Sequence, residues 1–460
     1  MRHAPIPVQT FTDNRARLTR LLKLNALVLV NANDLQPMAT DGAAPYLPND
    51  DLFWLTGVEQ EESVLMLAPD ASDERRRCVL FLREPNALLK IWEGDKLTKE
   101  RARAISGIDE VRWLSDLPVQ LHIAMCEAEH VYLNSNEHPR AVVEVESRDA
   151  RFISGLTRRY PLHDYQRLAR LMHEVRAVKS PAEIALLTQA CAITRQGFFS
   201  VLGMLAPGVN ECEVEAVYAY EFIRQRGRMA YNPIIASGPN SCVLHYNAND
   251  RTCRDGEVLL LDVASSYANY NADLTRTIPV NGRFTKRQRA VYDAVLRTVR
   301  AMTKRAVPGV VTRDWQQECE ALVTEELLEL GLLSTRDVKR QDPRNPACRK
   351  YFMHGCGHPL GLGVHDVTYT SKPFAAGWVL TIEPGIYIAE EGFGIRLEND
   401  IVVTDANGAL DLMADTPIEA DEIEQLMGRR RARGRQPLTP PVPPKHQQRS
   451  ARRAAKKARQ

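Results

Sequence analysis

The chain of 460 residues has no apolar run approaching the roughly 18 residues needed to cross a bilayer. Its longer runs are short stretches such as Ala26–Val30 and Val258–Leu261. The first twenty residues hold Pro5, Pro7 and Asp13 and no apolar leader core, so no secretory signal is expected. Nine cysteines, an odd number, include no C-x-x-C pair. In a chain of this length that pattern points to reduced thiols and a cytoplasmic setting. A membrane protein, a disulfide scaffold and a cysteine-rich zinc finger are thereby excluded.

Acidic residues are missing altogether from one region. Residues 428–460 hold twelve Lys/Arg and no Asp/Glu, so the net charge of +2 hides about −10 on the preceding body. This segment also has five prolines between Pro437 and Pro444 and almost no large apolar residues. It cannot bury a core and is expected to be a basic, disordered tail. Twelve cations could bind nucleic acid or an acidic surface; a solvated extension is the plainer reading.

The hydrophobic fraction of 44% is that of an ordinary globular chain, and the length fits two or three domains. Residues 1–172 alternate short strands (Asn25–Asn31, Ser63–Leu67, Cys78–Arg83, His130–Asn134) with helical patterns (Thr12–Leu24, Lys99–Ile105). That alternation predicts an α/β domain. It contains no nucleophile elbow and no phosphate loop, and Trp54, Trp92 and Trp113 read as core or interface. A boundary falls near Met172–Lys179. Ser180-Pro181-Ala182-Glu183 then combines an N-cap serine, proline at the first helical position and a glutamate three residues after the cap. The helix it starts is stopped by Pro207-Gly208, and a second is expected over Glu211–Gln225. From Asn232 to Thr404 short β segments carry polar residues in unusual places.

Val258–Ala264 is apolar on both faces except for Asp262, a costly charge unless something neutralises it. A turn at Ser266–Asn269 with its midpoint between Tyr267 and Ala268 would set Asp262 opposite Asp273. Two carboxylates about 5 Å apart repel, and a cation would remove the difficulty. Alternatively Asp262 ends its strand, the register slips and both are solvated; for this pair alone the two readings stand level. A second hairpin, Thr381–Ile388 with Phe393–Thr404, has its midpoint between Glu390 and Glu391 and pairs Glu383 with Glu398. Arg396, Glu398 and Asp400 then share one face, while Ile395, Leu397, Ile401 and Val403 share the other. Two like-charged pairs favour the metal reading.

Between the hairpins lies His354-Gly-Cys-Gly-His358-Pro-Leu-Gly-Leu-Gly-Val-His365-Asp366. Its H-x-x-x-H spacing would suit a zinc helix, but four glycines and Pro359 predict an extended segment that can approach a ligand closely. His245 stands alone as a further candidate. His3, His122, His130, His138, His163, His173 and His446 read as structural. Asp262, Asp273, His358, Glu383 and Glu398 form an oxygen-rich set that suits Mn²⁺, Mg²⁺, Co²⁺ or Fe²⁺. Four carboxylates offset two divalent ions, and two metals roughly 3.5–4 Å apart activate water in hydrolysis. The residues themselves thus point to a binuclear metallohydrolase.

With their flanks D-L-T-R-T, M-H-G-x-G-H, V-H-D-V, T-I-E-P-G-I-Y-I and G-I-R-L-E-N-D-I, these motifs resemble the pita-bread (creatinase/methionine aminopeptidase) superfamily. The aminopeptidase P branch is the most similar, up to about Gly428 and including D-L-F-W-L-T-G-V near the amino terminus. The resemblance implies an α/β amino-terminal domain (1–172), an α+β pita-bread catalytic domain (173–427) and the tail (428–460). It implies two Mn²⁺ ions bridged by Asp273, Glu398 and a hydroxide, with Asp262 on one metal and His358 and Glu383 on the other. Glu383 would shuttle the proton, and His245 and His365 would contact substrate and the oxyanion. His354, Tyr387 and Arg396 match substrate-contacting or supporting positions, Arg396 also offsetting negative charge at the centre. The implied substrate is a peptide with proline second, and a homo-oligomer, dimer or tetramer, is expected. Prolidase, which cleaves only Xaa-Pro dipeptides, is the nearest alternative, ahead of methionine aminopeptidase or a non-catalytic binding relative. Pro359, where an aromatic is common, and Ile91-Trp92-Glu93-Gly94 depart from the pattern and bear on specificity or subunit packing.

Overall fold

The computed structural model describes residues 3–141, 144–369, 371–405 and 408–433; beyond residue 428 only the backbone is described. The amino-terminal half is built on a six-stranded sheet in the order β4-β3-β2-β1-β5-β6. Its strands are β1 (Ala26–Asn31), β2 (Val64–Leu67), β3 (Cys78–Leu82), β4 (Glu110–Trp113), β5 (His130–Leu133) and β6 (Asp164–Arg167). Alternation along β1 fills two cores at once. Val28 and Val30 face one cluster with Leu52, Phe53 and Trp54, while Leu27 and Leu29 face another with Leu121, Met125 and Leu156. Of the three tryptophans, Trp54 is buried, Trp113 is half-buried under Lys99, and Trp92 is 79% exposed.

The helix Leu168–Ala177 runs through the boundary expected at residue 172. Its Leu168, Met172 and Val175 pack in the amino-terminal core. The helix Pro181–Met204 begins with the expected capping box: Ser180 Oγ accepts from the Glu183 N–H and Glu183 Oε2 accepts from the Ser180 N–H at 2.8 Å. With Glu211–Arg224, Lys286–Arg305 and Thr312–Glu329 it shares one large apolar core with the strands that carry the polar residues.

Those strands are β7 (Arg228–Met229), β8 (Ile234–Ser237), β9 (Val258–Asp262), β10 (Ser265–Tyr267), β11 (Tyr270–Asn271) and β12 (Thr275–Pro279). They are followed by β13 (Val379–Ile382), β14 (Gly385–Ile388), β15 (Phe393–Arg396), β16 (Asn399–Val403) and β17 (Ala409–Asp411). The last helix, Ala420–Arg433, continues six residues into the segment expected to be a disordered tail; residues 434–460 lie outside those described. No helix among the described residues is long and apolar enough to cross a membrane.

The first hairpin differs from expectation in register. Its turn is centred on Ala268 and Asn269, both at positive φ (50° and 67°), the geometry of a tight two-residue hairpin loop. The midpoint therefore lies one residue later than the turn residues predicted. Asp262 is opposite Thr275, and Asp273 is its diagonal neighbour. Asp262 does end its strand, as the alternative reading had it, yet neither carboxylate is solvated: side-chain exposures are 14% and 7%. A one-residue shift of the midpoint moves the register by two, and two residues return a side chain to the same face.

In the second hairpin the register is as expected: Gly385 faces Arg396 and Ile382 faces Asn399. Glu383 and Glu398 sit in a break between the two ladders. Pro384 has no N–H to offer there, and the Glu398 N–H donates instead across to the Thr275 carbonyl at 3.0 Å.

Candidate metal centre

The two hairpins and the glycine-rich segment converge through backbone pairing. Residues 356–360 run antiparallel to β13: Glu383 N–H donates to Cys356 O (2.8 Å), Thr381 N–H to His358 O (2.9 Å) and Leu360 N–H to Val379 O (3.0 Å). This brings His358 beside Glu383. The segment is extended and not helical, as its four glycines and Pro359 predict. Its glycines allow close packing against the protein's own chain: a Cβ on Gly357 would lie 2.0 Å from Thr381 O, and one on Gly361 2.2 Å from Asp366 Oδ2.

Asp273, His358 and Glu398 each offer a ligand atom, all within 4.8 Å of one another. His358 Nε2 is 3.5 Å from both Asp273 Oδ2 and Glu383 Oε1. Its Nδ1 lies 3.0 Å from the Pro359 carbonyl and can only donate there, which makes Nε2 the atom turned toward the carboxylates. Asp262 joins through Tyr231, whose hydroxyl is 2.6 Å from both Asp262 Oδ1 and Asp273 Oδ1. Thr275 Oγ1 donates to Glu398 Oε2 (2.7 Å), and the Asp273 N–H donates to Asp400 Oδ2 (3.0 Å). All five predicted ligands thus lie in one cluster.

Burial is the largest influence on the acidic groups. It raises Glu383 to about 7, with Asp273 and Asp262 adding to the rise and His358 and Arg396 opposing it. Asp262 and Glu398 are also raised, burial leading in each. His358 is lifted to about 9, because Asp273 and Glu383 outweigh its burial. A cluster of buried carboxylates faced chiefly by His358 and Arg396 lacks positive charge. Oxygen donors from four carboxylates and one imidazole fit a pair of hard divalent ions.

Arg396 is 4% exposed and sorts its donors between three groups: Asp262 Oδ2 (2.6 Å), Tyr387 Oη (2.9 Å) and Thr275 Oγ1 (3.1 Å). Tyr387 in turn lies 2.7 Å from His354 Nε2. Burial, with the charges of Arg396 and His245, lowers His354 to about 3. His245 is exposed in the turn after Gly238–Cys242, near enough for its charge to act on His354. His365 packs edge-on against His358, ring centroids 4.1 Å apart, and Arg140 of the amino-terminal half reaches its ring at 3.1 Å. Burial first, then the charges of His358 and Arg140, depresses His365 to about 3.

Sequence reasoning missed Tyr231, Thr275, Arg140 and the support from Asp400. Thr275 was within reach, since it lies two residues past Asp273 and so on the same face. Tyr231 and Arg140 arrive from distant segments with no local pattern to mark them.

Comparisons with known proteins agree with this geometry. Residues 185–405 match Metallopeptidase family M24, and residues 11–132 match the Aminopeptidase P, N-terminal domain. The chain is 34% identical to the Xaa-Pro aminopeptidase of Escherichia coli K12, covering 91% of this chain and 97% of that one. It is 30% identical to human Xaa-Pro aminopeptidase 3, covering 87% and 80%. Among solved structures, Pseudomonas aeruginosa aminopeptidase PepP superposes with a TM-score of 0.84 at 28% identity, covering 93% and 99%. Zinc-substituted E. coli aminopeptidase P in complex with product superposes with a TM-score of 0.82 at 33% identity, covering 93% and 99%. Two family matches in order, and relatives aligned over nearly the full length, leave one conclusion: this chain belongs to the aminopeptidase P family of M24 metallopeptidases.

Proposed function

We propose that this protein is an Xaa-Pro aminopeptidase that hydrolyses the bond between an amino-terminal residue and a following proline. The observation that carries this reading is the convergence of Asp273, His358 and Glu398 beside Asp262 and Glu383, in a chain aligned over 91% of its length with an Xaa-Pro aminopeptidase. Asp262, Asp273, His358, Glu383 and Glu398 would hold two divalent ions, Mn²⁺ in our reading. Such a pair supplies a nucleophile from water at neutral pH and positive charge for the attacked carbonyl.

The protein's own groups do the rest. Glu383, beside His358, takes a proton and returns it to the leaving proline nitrogen. His365 and His245 face the scissile carbonyl and donate to its developing oxyanion. Arg396 fixes Asp262 and Tyr387, and Tyr387 orients His354 along the substrate. An Xaa-Pro amide has no N–H and carries a rigid ring, so recognition falls to shape and to the free amine. Nine free cysteines support a cytoplasmic setting, and we expect a dimer or tetramer. The test is cleavage of Xaa-Pro-Xaa by purified protein together with its metal content. Release of the first residue from the tripeptide is expected; cleavage confined to Xaa-Pro dipeptides would make it a prolidase.

A further inference from the structure

Asp366 directly follows His365, and its carboxylate is 1% exposed. Oδ1 accepts from Arg176 Nη2 at 2.5 Å and from the Gly363 N–H at 3.3 Å, and Oδ2 accepts from Lys179 Nζ at 2.9 Å. Its own N–H donates to the carbonyl of Pro359, the residue after His358, at 2.9 Å. With the Gly361 N–H donating to Gly363 O (3.1 Å), the loop from His358 to Asp366 closes on the buried carboxylate. Asn271 holds the loop from the other side: its N–H donates to Gly361 O (2.9 Å) and its Nδ2 to Leu362 O (2.5 Å).

Arg176 does not stop at Asp366. It also donates to Asp51 Oδ1 (2.7 Å) and Asp50 Oδ2 (3.2 Å) on the helix Asp50–Thr56 of the amino-terminal half. None of these five charged groups hydrogen-bonds or ion-pairs with a predicted metal ligand. A buried ionic network of this kind is a poor device for stability, since apolar packing of equal volume serves as well or better. What it does give is a fixed geometry, here on the loop that carries His358 at one end and His365 at the other.

We propose that Asp366 is a positioning residue for His365, and that Arg176 links its placement to Asp50 and Asp51, so the amino-terminal domain sets the geometry of the site. This rests on the reading above, in which His365 faces the scissile carbonyl.

The test uses the full-length, metal-loaded protein and an Xaa-Pro-Xaa tripeptide. Asp366→Asn and Asp51→Asn are assayed alone and combined with His365→Ala. Asp366→Asn is expected to lower kcat about thirtyfold with KM held within about twofold, and Asp51→Asn to lower kcat about threefold. In the His365→Ala background both losses should shrink to within about twofold, because the residue they act through is gone. Calorimetric Mn²⁺ affinity of the stripped protein should match wild type in both variants. Losses that persist undiminished in the His365→Ala background, full kcat in Asp366→Asn, or weakened metal affinity would each overturn the proposal. Should Asp366→Asn not fold, Asp51→Asn and Lys179→Met carry the same comparison. A wild-type protein that fails to cleave Xaa-Pro bonds defeats the functional reading; wild-type cleavage without coupling to His365 defeats only the positioning.

Discussion

The two hairpins that bring the carboxylates together do so by different means. In the first, the gap between the ladders is bridged from within the hairpin, Val263 N–H donating to Leu274 O (3.1 Å) and Ala272 N–H to Ser265 O (3.0 Å); Asp262 and Asp273 are diagonal neighbours, and Tyr231 spans them. In the second, Glu383 and Glu398 are directly opposite, but the ladder breaks around them at Pro384 and the Glu398 N–H crosses to the first hairpin. A gap bridged by the hairpin's own backbone places charge on a face by register alone. A gap left open at a proline places it by borrowing a neighbour's backbone. Thr275 is where the two meet, because its carbonyl accepts from Glu398 N–H and its hydroxyl touches both Glu398 and Arg396.

If both hairpins contribute ligands equally, Asp273→Asn and Glu398→Gln should each lower kcat/KM by at least about a thousandfold and cut bound metal, as elemental analysis would read. Retained metal and activity in only one of them would break the symmetry. Thr275→Val removes the shared support and leaves the ligands in place. A loss of about ten- to a hundredfold is expected, with weaker metal affinity by titration.

The proton balance offers a test that needs no turnover. In the stripped protein Glu383 has a folded pKa of about 7 against 4.5 unfolded, and His358 about 9 against 6.5. Both folded values are raised, so the folded state binds more protons between the paired values, and stability falls as pH rises. Below about pH 6.5 the lowered His354 and His365 act in the opposite sense, so the stripped protein should melt at progressively lower temperature from about pH 7 to pH 9. Metal-loaded protein, with these protons displaced, should lose most of that slope. An identical slope in both forms would count against metal binding at these groups.

The smallest effect concerns the turns. Gly392, at φ 71°, ends the second turn in the left-handed region, and a Cβ there would meet only Pro239 at 3.6 Å. Gly392→Ala should cost about 1 kcal/mol, read by denaturant unfolding, for backbone reasons alone. Ala268 already tolerates such a conformation in the first turn, so Ala268→Gly should change stability by less than about 0.5 kcal/mol.

Much of this architecture was legible from residue pattern, and the exceptions have physical causes. β1, β2, β3 and β5 fall within a residue of their apolar runs because they lie inside the sheet. β4 and β6 are its edges, and their sequences E-V-R-W and D-Y-Q-R lack the apolar run that marks an inner strand. The helix expected over Thr12–Leu24 occupies Val8–Thr19 instead, started by Pro7, and Leu24, the expected last residue, is 72% exposed. The five acidic and imidazole groups were readable because charge in a buried strand has few explanations. Which residue opposes which in the first hairpin was not, since Ala268 carries no sign of the positive φ that it adopts. The side chains reaching in from Tyr231, Arg140 and Arg176 depend on tertiary contacts that no local period encodes.

The apolar cluster on one face of the amino-terminal sheet does not end with that sheet. Val28, Val30, Leu52 and Trp54 share it with Leu360 and Leu362 of the His358–Asp366 loop and with Val379 and Val402 beneath the second hairpin. The halves matched by separate family models are therefore welded through a common interior. Calorimetric melting should follow a single cooperative step, and an isolated catalytic fragment would leave a greasy scar beside its own reaction chamber.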